Sequence, residues 1–156
     1  MCFVREDDRV GCFGDDVDFA PLSPAPNDLL HHVSVGSFFA CGIRDDASAT
    51  CWGKHDSNPP ELEGQFEDLW VGDGEVWGLR PNGSVVLAYT DGIGPDPTGP
   101  EGIFIDIEGH CGRRADKTVD CWGSSVPPTG MFEQLSGVCG LRTDGSIDCF
   151  DDGWNE

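Results

Sequence analysis

The stretch CGLRTDGSIDCF, residues 139–150, decides how the chain is read: two cysteines stand ten positions apart around Thr143-Asp144-Gly145. Glycine third in that loop suits a three-residue hairpin, a type I turn followed by a bulge residue at positive φ. Counting outward by alternation from the Arg142/Ser146 pair puts Cys139 opposite Cys149, at a non-hydrogen-bonded site where Cα atoms lie about 4.5 Å apart. That separation is within disulfide reach. The stretch therefore predicts a two-strand unit pinned across its open end.

The same spacing recurs. CFVREDDRVGCFG from Cys2, CGIRDDASATCWG from Cys41, WGLRPNGSVVLAY from Trp77 and CGRRADKTVDCWG from Cys111 align with the stretch from Cys139. Self-similarity at a period of a few tens of residues marks a repeat architecture. Hairpins are expected at 2–14, 41–53, 77–89, 111–123 and 139–150, within one repeat domain spanning 1–156. Their turns place Asp8, Ala47, Gly83, Lys117 and Gly145 at the positive-φ position, which glycine tolerates best. Four bridges are expected, Cys2–Cys12, Cys41–Cys51, Cys111–Cys121 and Cys139–Cys149. Each closes a loop that contributes about 2.5–3 kcal/mol by chain entropy. In the third copy Trp77 and Leu87 replace both cysteines, as a cross-strand apolar pair would. A zinc site is disfavoured because the chain has no CxxC, and paired bridges imply an oxidising compartment.

Composition agrees with an all-β chain. Twenty-two Gly and 11 Pro are spread along 156 residues, and no long segment carries apolar residues at helical spacing, so short strands joined by turns are favoured. Twenty-nine acidic residues against nine basic ones give a formal charge of −20. Such a surface repels phosphate, so nucleic acid is not an expected partner. No apolar run approaches the roughly 18 residues of a membrane-spanning helix. Met1-Cys2-Phe3 lacks the basic and apolar regions of a signal peptide.

LLHHVSVGSFF, FEDLWVGDGEV, IFIDIEGH and MFEQLSGV precede the later hairpins, each apolar at alternate positions. Each predicts one more strand feeding into its hairpin. Pro-rich connectors such as APLSPAPND, DSNPPELEG and GPDPTGPEG run between copies as loops. A repeated unit of three or four strands predicts the blades of a β-propeller, with solenoid stacking as the other arrangement.

The pattern F-x-x-[LIV]-x-x-G, then C-G-[LI]-R-x-D-G-S-x-x-C-W-G, resembles the repeat of the regulator of chromosome condensation family. It is most similar to the cysteine-bearing extracellular branch, with crinkly-type receptor ectodomains and β-lactamase-inhibitor propellers. PPTGMFEQLSGVCGLRTDGSIDCF and CGRRADKTVDCWG carry it most specifically. The resemblance implies a propeller whose loops and rims bind other proteins without catalysis. Relatives most often have seven blades, so five copies are a departure. The chain begins inside a hairpin and ends in DDGWNE after another, which leaves the first copy without a preceding strand. Either a compact ring closes, or an arc is completed by self-assembly or by a partner, since open strand edges pair with other chains; the arc is the favoured expectation.

Individual residues divide between structural and recognition roles. Arg5, Arg44, Arg80, Arg114 and Arg142 each follow the first Cys or Trp by three positions; they are expected to hold turns or neighbouring blades through acids such as Asp46, Asp116 or Asp144. Trp52, Trp122, Phe13 and Phe150 follow the second Cys and are expected between blades. Trp70 and Trp154 fall outside that pattern and are the candidates for exposed recognition. His31 and His32 would project to opposite faces of a strand, poor geometry for a metal, and His55 and His110 stand alone. Asp15, Asp16 and Asp18, like Asp151 and Asp152, lack the spacing of a calcium loop. No nucleophile elbow, glycine-rich phosphate loop or HExxH is present. The sequence thus points to a secreted, non-enzymatic repeat protein without metal or cofactor that binds a protein partner. A self-assembling structural subunit and a lectin are the alternatives.

Overall fold

The structure, a computed structural model, describes residues 2–12, 27–53, 61–89, 100–123 and 125–149. These residues form strands and no helix. Sheet one pairs β1 (Cys2–Val4) with β2 (Val10–Cys12). Sheet two is β3 (Leu30–Val35), β4 (Phe39–Arg44) and β5 (Ala49–Gly53). Sheet three is β6 (Asp68–Val71), β7 (Glu75–Leu79) and β8 (Val85–Tyr89). Sheet four is β9 (Asp106–Glu108), β10 (Cys111–Arg113) and β11 (Val119–Cys121). Sheet five is β12 (Phe132–Ser136), β13 (Cys139–Arg142) and β14 (Ile147–Cys149). All pairs are antiparallel neighbours in sequence, so sheet one is a hairpin and the other four are meanders. The expected extra strand before each later hairpin is present, and the unit has three strands among the described residues.

Hairpin register follows the turn chemistry. Asp8, Ala47 and Lys117 take φ of 59°, 66° and 70°, beside Gly83 at 80° and Gly145 at 85°. Arg44 N donates to Ser48 O at 2.9 Å and Ala47 N to Arg44 O at 2.8 Å, closing the bulged loop; the other turns repeat this. Asp46 Oδ1 accepts from Ser48 N at 2.9 Å and Ser48 Oγ at 2.6 Å. Asn82, Asp116 and Asp144 do the same with Ser84, Thr118 and Ser146. With that register, Cys41–Cys51, Cys111–Cys121 and Cys139–Cys149 form disulfides with Cα separations of 4.0, 4.0 and 3.9 Å. Cys2 stands opposite Cys12 in the backbone register; the Cys2 side chain lies outside the described residues. Trp77 stands opposite Leu87 in the copy without cysteines, and both are buried.

The sheets stack in chain order, as blades in a propeller arc. The face bearing each cysteine pair packs against the opposite face of the next sheet. Cys41 and Ile43 meet Phe66, Leu69 and Val76. Trp77, Leu79 and Val85 meet Phe104 and Ile107. Cys111 and Val119 meet Phe132 and Leu135. Val10 of sheet one meets Leu30, Ala40 and Trp52 of sheet two. Among the described residues the core is divided into small ones, one at each interface, and the bridges stiffen the layers between them.

The glycine after the first cysteine is what admits the leading strand. A Cβ on Gly112 would stand 2.5 Å from Phe104 Cδ1, and one on Gly78 2.6 Å from Phe66 Cε1. Those rings pack against the hairpin at that glycine and join the cluster formed with the preceding sheet. Sequence thus sets both layers of the interface at once: Gly in the hairpin, a large apolar residue in the strand before it.

Candidate functional site

The leading strands β3, β6, β9 and β12 lie side by side along the inner edge of the arc and surround an open cavity of about 460 Å³. It is lined by His32, Ser34, Asp68, Trp70, Glu108 and Gln134, among others. Apolar residues of the same strands, Val33, Leu69, Ile107 and Leu135 among them, also border it. Each leading strand turns its apolar set, such as Leu69, Ile107 and Leu135, into the stack and leaves polar neighbours toward the axis.

Asp68 is the hub of this cavity. Its Oδ1 accepts Leu69 N at 2.9 Å, and its Oδ2 accepts Ile107 N at 3.4 Å from the next blade. His32 Nε2, from the preceding blade, lies 3.2 Å from Asp68 Oδ1 and 3.2 Å from Leu69 O. Burial pushes the Asp68 carboxyl above its ordinary value, with His32 opposing. Glu108 is also pushed up, first by burial; a hydrogen bond from the Gly137 backbone opposes this, and the Asp68 and Asp106 carboxylates reinforce it. Asp106 is tied to Arg113 Nε at 3.0 Å. Ser34 Oγ accepts Val71 N at 3.0 Å, another blade-to-blade link. The mouth is acidic and concave. It can receive cationic or hydrogen-bond-donating groups, although among the described residues no three His, Cys, Asp or Glu side chains converge to hold a metal ion.

Arg44, Arg80, Arg114 and Arg142 take structural places; Arg44, Arg114 and Arg142 attract the turn acids, as expected, but form their ion pairs elsewhere. Arg44 pairs with Asp28 at 2.8 Å, Arg114 with Asp120 at 2.6 Å, and Arg142 with Asp148. The turn acids Asp46, Asp116 and Asp144 are taken up by the Ser or Thr two residues on; those bonds, side chain first and backbone second, hold their carboxyls below the ordinary value. Arg80, Arg114 and Arg142 also lie over Phe66, Phe104 and Phe132, at 5.8, 4.7 and 5.1 Å from the ring centroids. Each guanidinium so covers the aromatic ring of its own leading strand, a cation–π contact that also shields the ring from water.

Trp70 is half-buried. Its ring lies 5.6 Å from His110, which in turn sits 5.8 Å from Trp77 and 2.8 Å from Glu75 Oε1. Trp122 packs on Trp77 and Phe104 between blades, as expected, and Trp52 is buried between sheets one and two. His31 faces Asp45 on the surface at 3.8 Å. Trp154, Phe13, Phe150, His55, Asp15, Asp16, Asp18, Asp151 and Asp152 lie outside the described residues. Sequence reasoning missed Asp68, Asp106 and Glu108 as a group. The one available signal was their position: each is an acid in a leading strand directly beside an apolar residue, Leu69 or Ile107.

No family model matches the chain, and neither does any curated protein. Solved structures do. The CRINKLY WD40 ectodomain of the Arabidopsis thaliana receptor kinase ACR4 is 26% identical, with a TM-score of 0.64 over 81% of this chain and 51% of that one. The entire ectodomain of the Physcomitrella patens receptor kinase CR4 is 23% identical, with a TM-score of 0.69 over 96% of this chain and 48% of that one. The chain spans about half the length of these structures. The likeness supports a propeller-like fold of the kind carried by receptor ectodomains.

Proposed function

We propose that this chain is an extracellular, non-enzymatic propeller module that binds a protein partner across the cavity mouth and its surrounding loops. The observation that carries the reading is the convergence of four leading strands on one open, acid-lined cavity of about 460 Å³. Three intra-hairpin disulfides fit an oxidising compartment. The similarity to receptor ectodomains supports recognition of another protein over catalysis. A partner surface rich in Lys and Arg suits the chain's charge of −20, because complementary potentials speed encounter and exclude acidic competitors.

The test is a binding screen of the purified chain against a panel of extracellular domains, run in parallel with a Glu108→Gln, Gln134→Ala double variant. The reading expects selective binding that weakens about tenfold or more in the variant, as loss of a central contact does. Binding indifferent to the cavity, or turnover of a small substrate in place of binding, would contradict it.

A further inference from the structure

The middle residue of the hairpin turn is an aspartate in four copies, Asp7, Asp46, Asp116 and Asp144, but in sheet three it is Asn82. Asn82 does for its turn what those acids do for theirs. Its Oδ1 accepts Ser84 N at 3.0 Å and Ser84 Oγ at 2.7 Å, as Asp46 Oδ1 accepts both groups of Ser48. A backbone N–H only donates, so the atom facing Ser84 is the amide oxygen, and the NH2 group points away from the turn. Asn82 is exposed, and its Nδ2 donates to no atom among the described residues. The turn needs the oxygen alone, which aspartate supplies elsewhere in this acid-rich chain; the two N–H groups of the amide are surplus to the fold.

That surplus amide belongs to Asn82-Gly83-Ser84, the N-x-[ST] pattern in which an asparagine of an exported protein accepts an oligosaccharide on a surface loop. Asn27 is followed by Asp28 and Leu29, and Asn58 by two prolines, so neither carries the pattern. The local structure suits an acceptor. The tip is held by its backbone, with Gly83 at φ 80° donating to Arg80 O at 2.8 Å and Arg80 N donating to Ser84 O at 2.9 Å, so a group added to Nδ2 displaces no turn contact. No cysteine lies between Cys51 and Cys111, so no bridge closes this hairpin around the acceptor before a transferase reaches it.

We propose that Asn82 is an N-glycosylation site, taking its oligosaccharide from a lipid-linked pyrophosphate donor. The proposal rests on the extracellular part of the reading above and adds a covalent modification to it. In the transfer Nδ2 loses a proton and bonds to the anomeric carbon of the first sugar. The bond from that carbon to the pyrophosphate oxygen breaks, and the lipid pyrophosphate leaves with the electron pair. Oδ1 takes no part, so the modified side chain still accepts from Ser84 and the turn is kept. Asn82 is not among the residues that line the cavity, so the glycan is carried on a hairpin tip apart from them.

The experiment directs the chain through the secretory pathway of a eukaryotic cell and maps the secreted protein by mass spectrometry without reduction. Linked Cys41–Cys51, Cys111–Cys121 and Cys139–Cys149 peptides identify the folded product. The expected result is a glycan on the peptide that holds Asn82, removed by peptide N-glycosidase with conversion of residue 82 to aspartate. Asn82→Asp keeps the turn bonds that the other copies make with aspartate, and should be secreted with the same bridges and complete loss of the glycan. Ser84→Ala should lose it too, whereas Ser84→Thr should retain it, since Thr118 already closes the equivalent turn of sheet four. Folded wild type with unmodified Asn82 overturns the proposal, as does a glycan that persists on this peptide in Asn82→Asp. Either failure leaves the protein-binding reading untouched, because the partner screen above tests that reading at the cavity.

Discussion

The carbonyl of Ala47 accepts the backbone N–H of Phe66 at 2.8 Å, so the tip of one hairpin is tied to the leading strand of the next. Asp8 to Leu30, Gly83 to Phe104 and Lys117 to Phe132 repeat the bond at 2.8–2.9 Å. The left-handed turn residue turns its carbonyl outward, and the large apolar residue that enters the neighbouring interface donates to it. One backbone conformation thus closes the hairpin and registers the following blade.

Ala47 occupies this conformation at φ 66°, which costs an alanine roughly 1–2 kcal/mol relative to glycine. Ala47→Gly relieves that strain, less about 0.5–1 kcal/mol of added chain entropy. The expected outcome is a rise in Tm of about 1–3 °C, checked by thermal unfolding with the bridges intact. A lowered Tm would show that the turn gains nothing from glycine.

Gly112 admits the Phe104 ring, and a methyl group there would stand 2.5 Å from Cδ1. Gly112→Ala should therefore destabilise the chain by about 1–3 kcal/mol, as overpacking does, seen as a lower urea midpoint. An unchanged midpoint would mean that the ring moves aside freely.

The hairpins, their registers and turn conformations were all legible in the sequence, because each depends on contacts within about a dozen residues. Alternation alone set Cys139 against Cys149, and alignment with Gly83 and Gly145 marked Asp8, Ala47 and Lys117 as left-handed. The cavity was not legible. Asp68, His32 and Ile107 meet only once three blades have stacked, and nothing local records which blade follows at what angle. The ion-pair partners of the arginines were not legible either: Arg142 attracts Asp144 but pairs with Asp148, because Ser146 takes up the Asp144 carboxylate. Gly64, Gly102 and Gly130, each two residues before a leading-strand Phe and each at positive φ under an arginine, form a signal that could have placed the guanidinium groups.

Acid should strengthen the fold before it weakens it. Asp68 and Glu108 have folded pKa values raised above the ordinary 3.8 and 4.5, so the folded state binds more protons than the unfolded chain between those values and the raised ones. Their contribution is fully present below the ordinary values and is lost as pH rises through the raised ones. Asp46, Asp116 and Asp144 have lowered values, so their contribution is lost as pH falls below about 3.8. Urea midpoints measured from pH 7 downward should rise as pH falls through the raised values of Asp68 and Glu108, and fall once it drops below about 3.8. Glu108→Gln should raise the pH 7 midpoint and flatten the acid rise; a variant with the wild-type slope would remove Glu108 from the account.

The three bridges among the described residues differ in shelter. Cys41 is fully buried and Cys111 nearly so, whereas Cys149 is exposed. Exchange requires a thiolate to reach a sulfur, so mild reductant followed by timed alkylation should open Cys139–Cys149 first and Cys41–Cys51 last. Simultaneous opening of all three would indicate global unfolding as the route.

The claim on which all of this rests is that each bridge closes inside one hairpin and that the hairpins then stack face to back. Proteolysis without reduction, followed by mass spectrometry of the linked peptides, tests it most directly. The account predicts Cys41 joined to Cys51, Cys111 to Cys121 and Cys139 to Cys149; a linkage between different hairpins, or free thiols at these six positions, would contradict it.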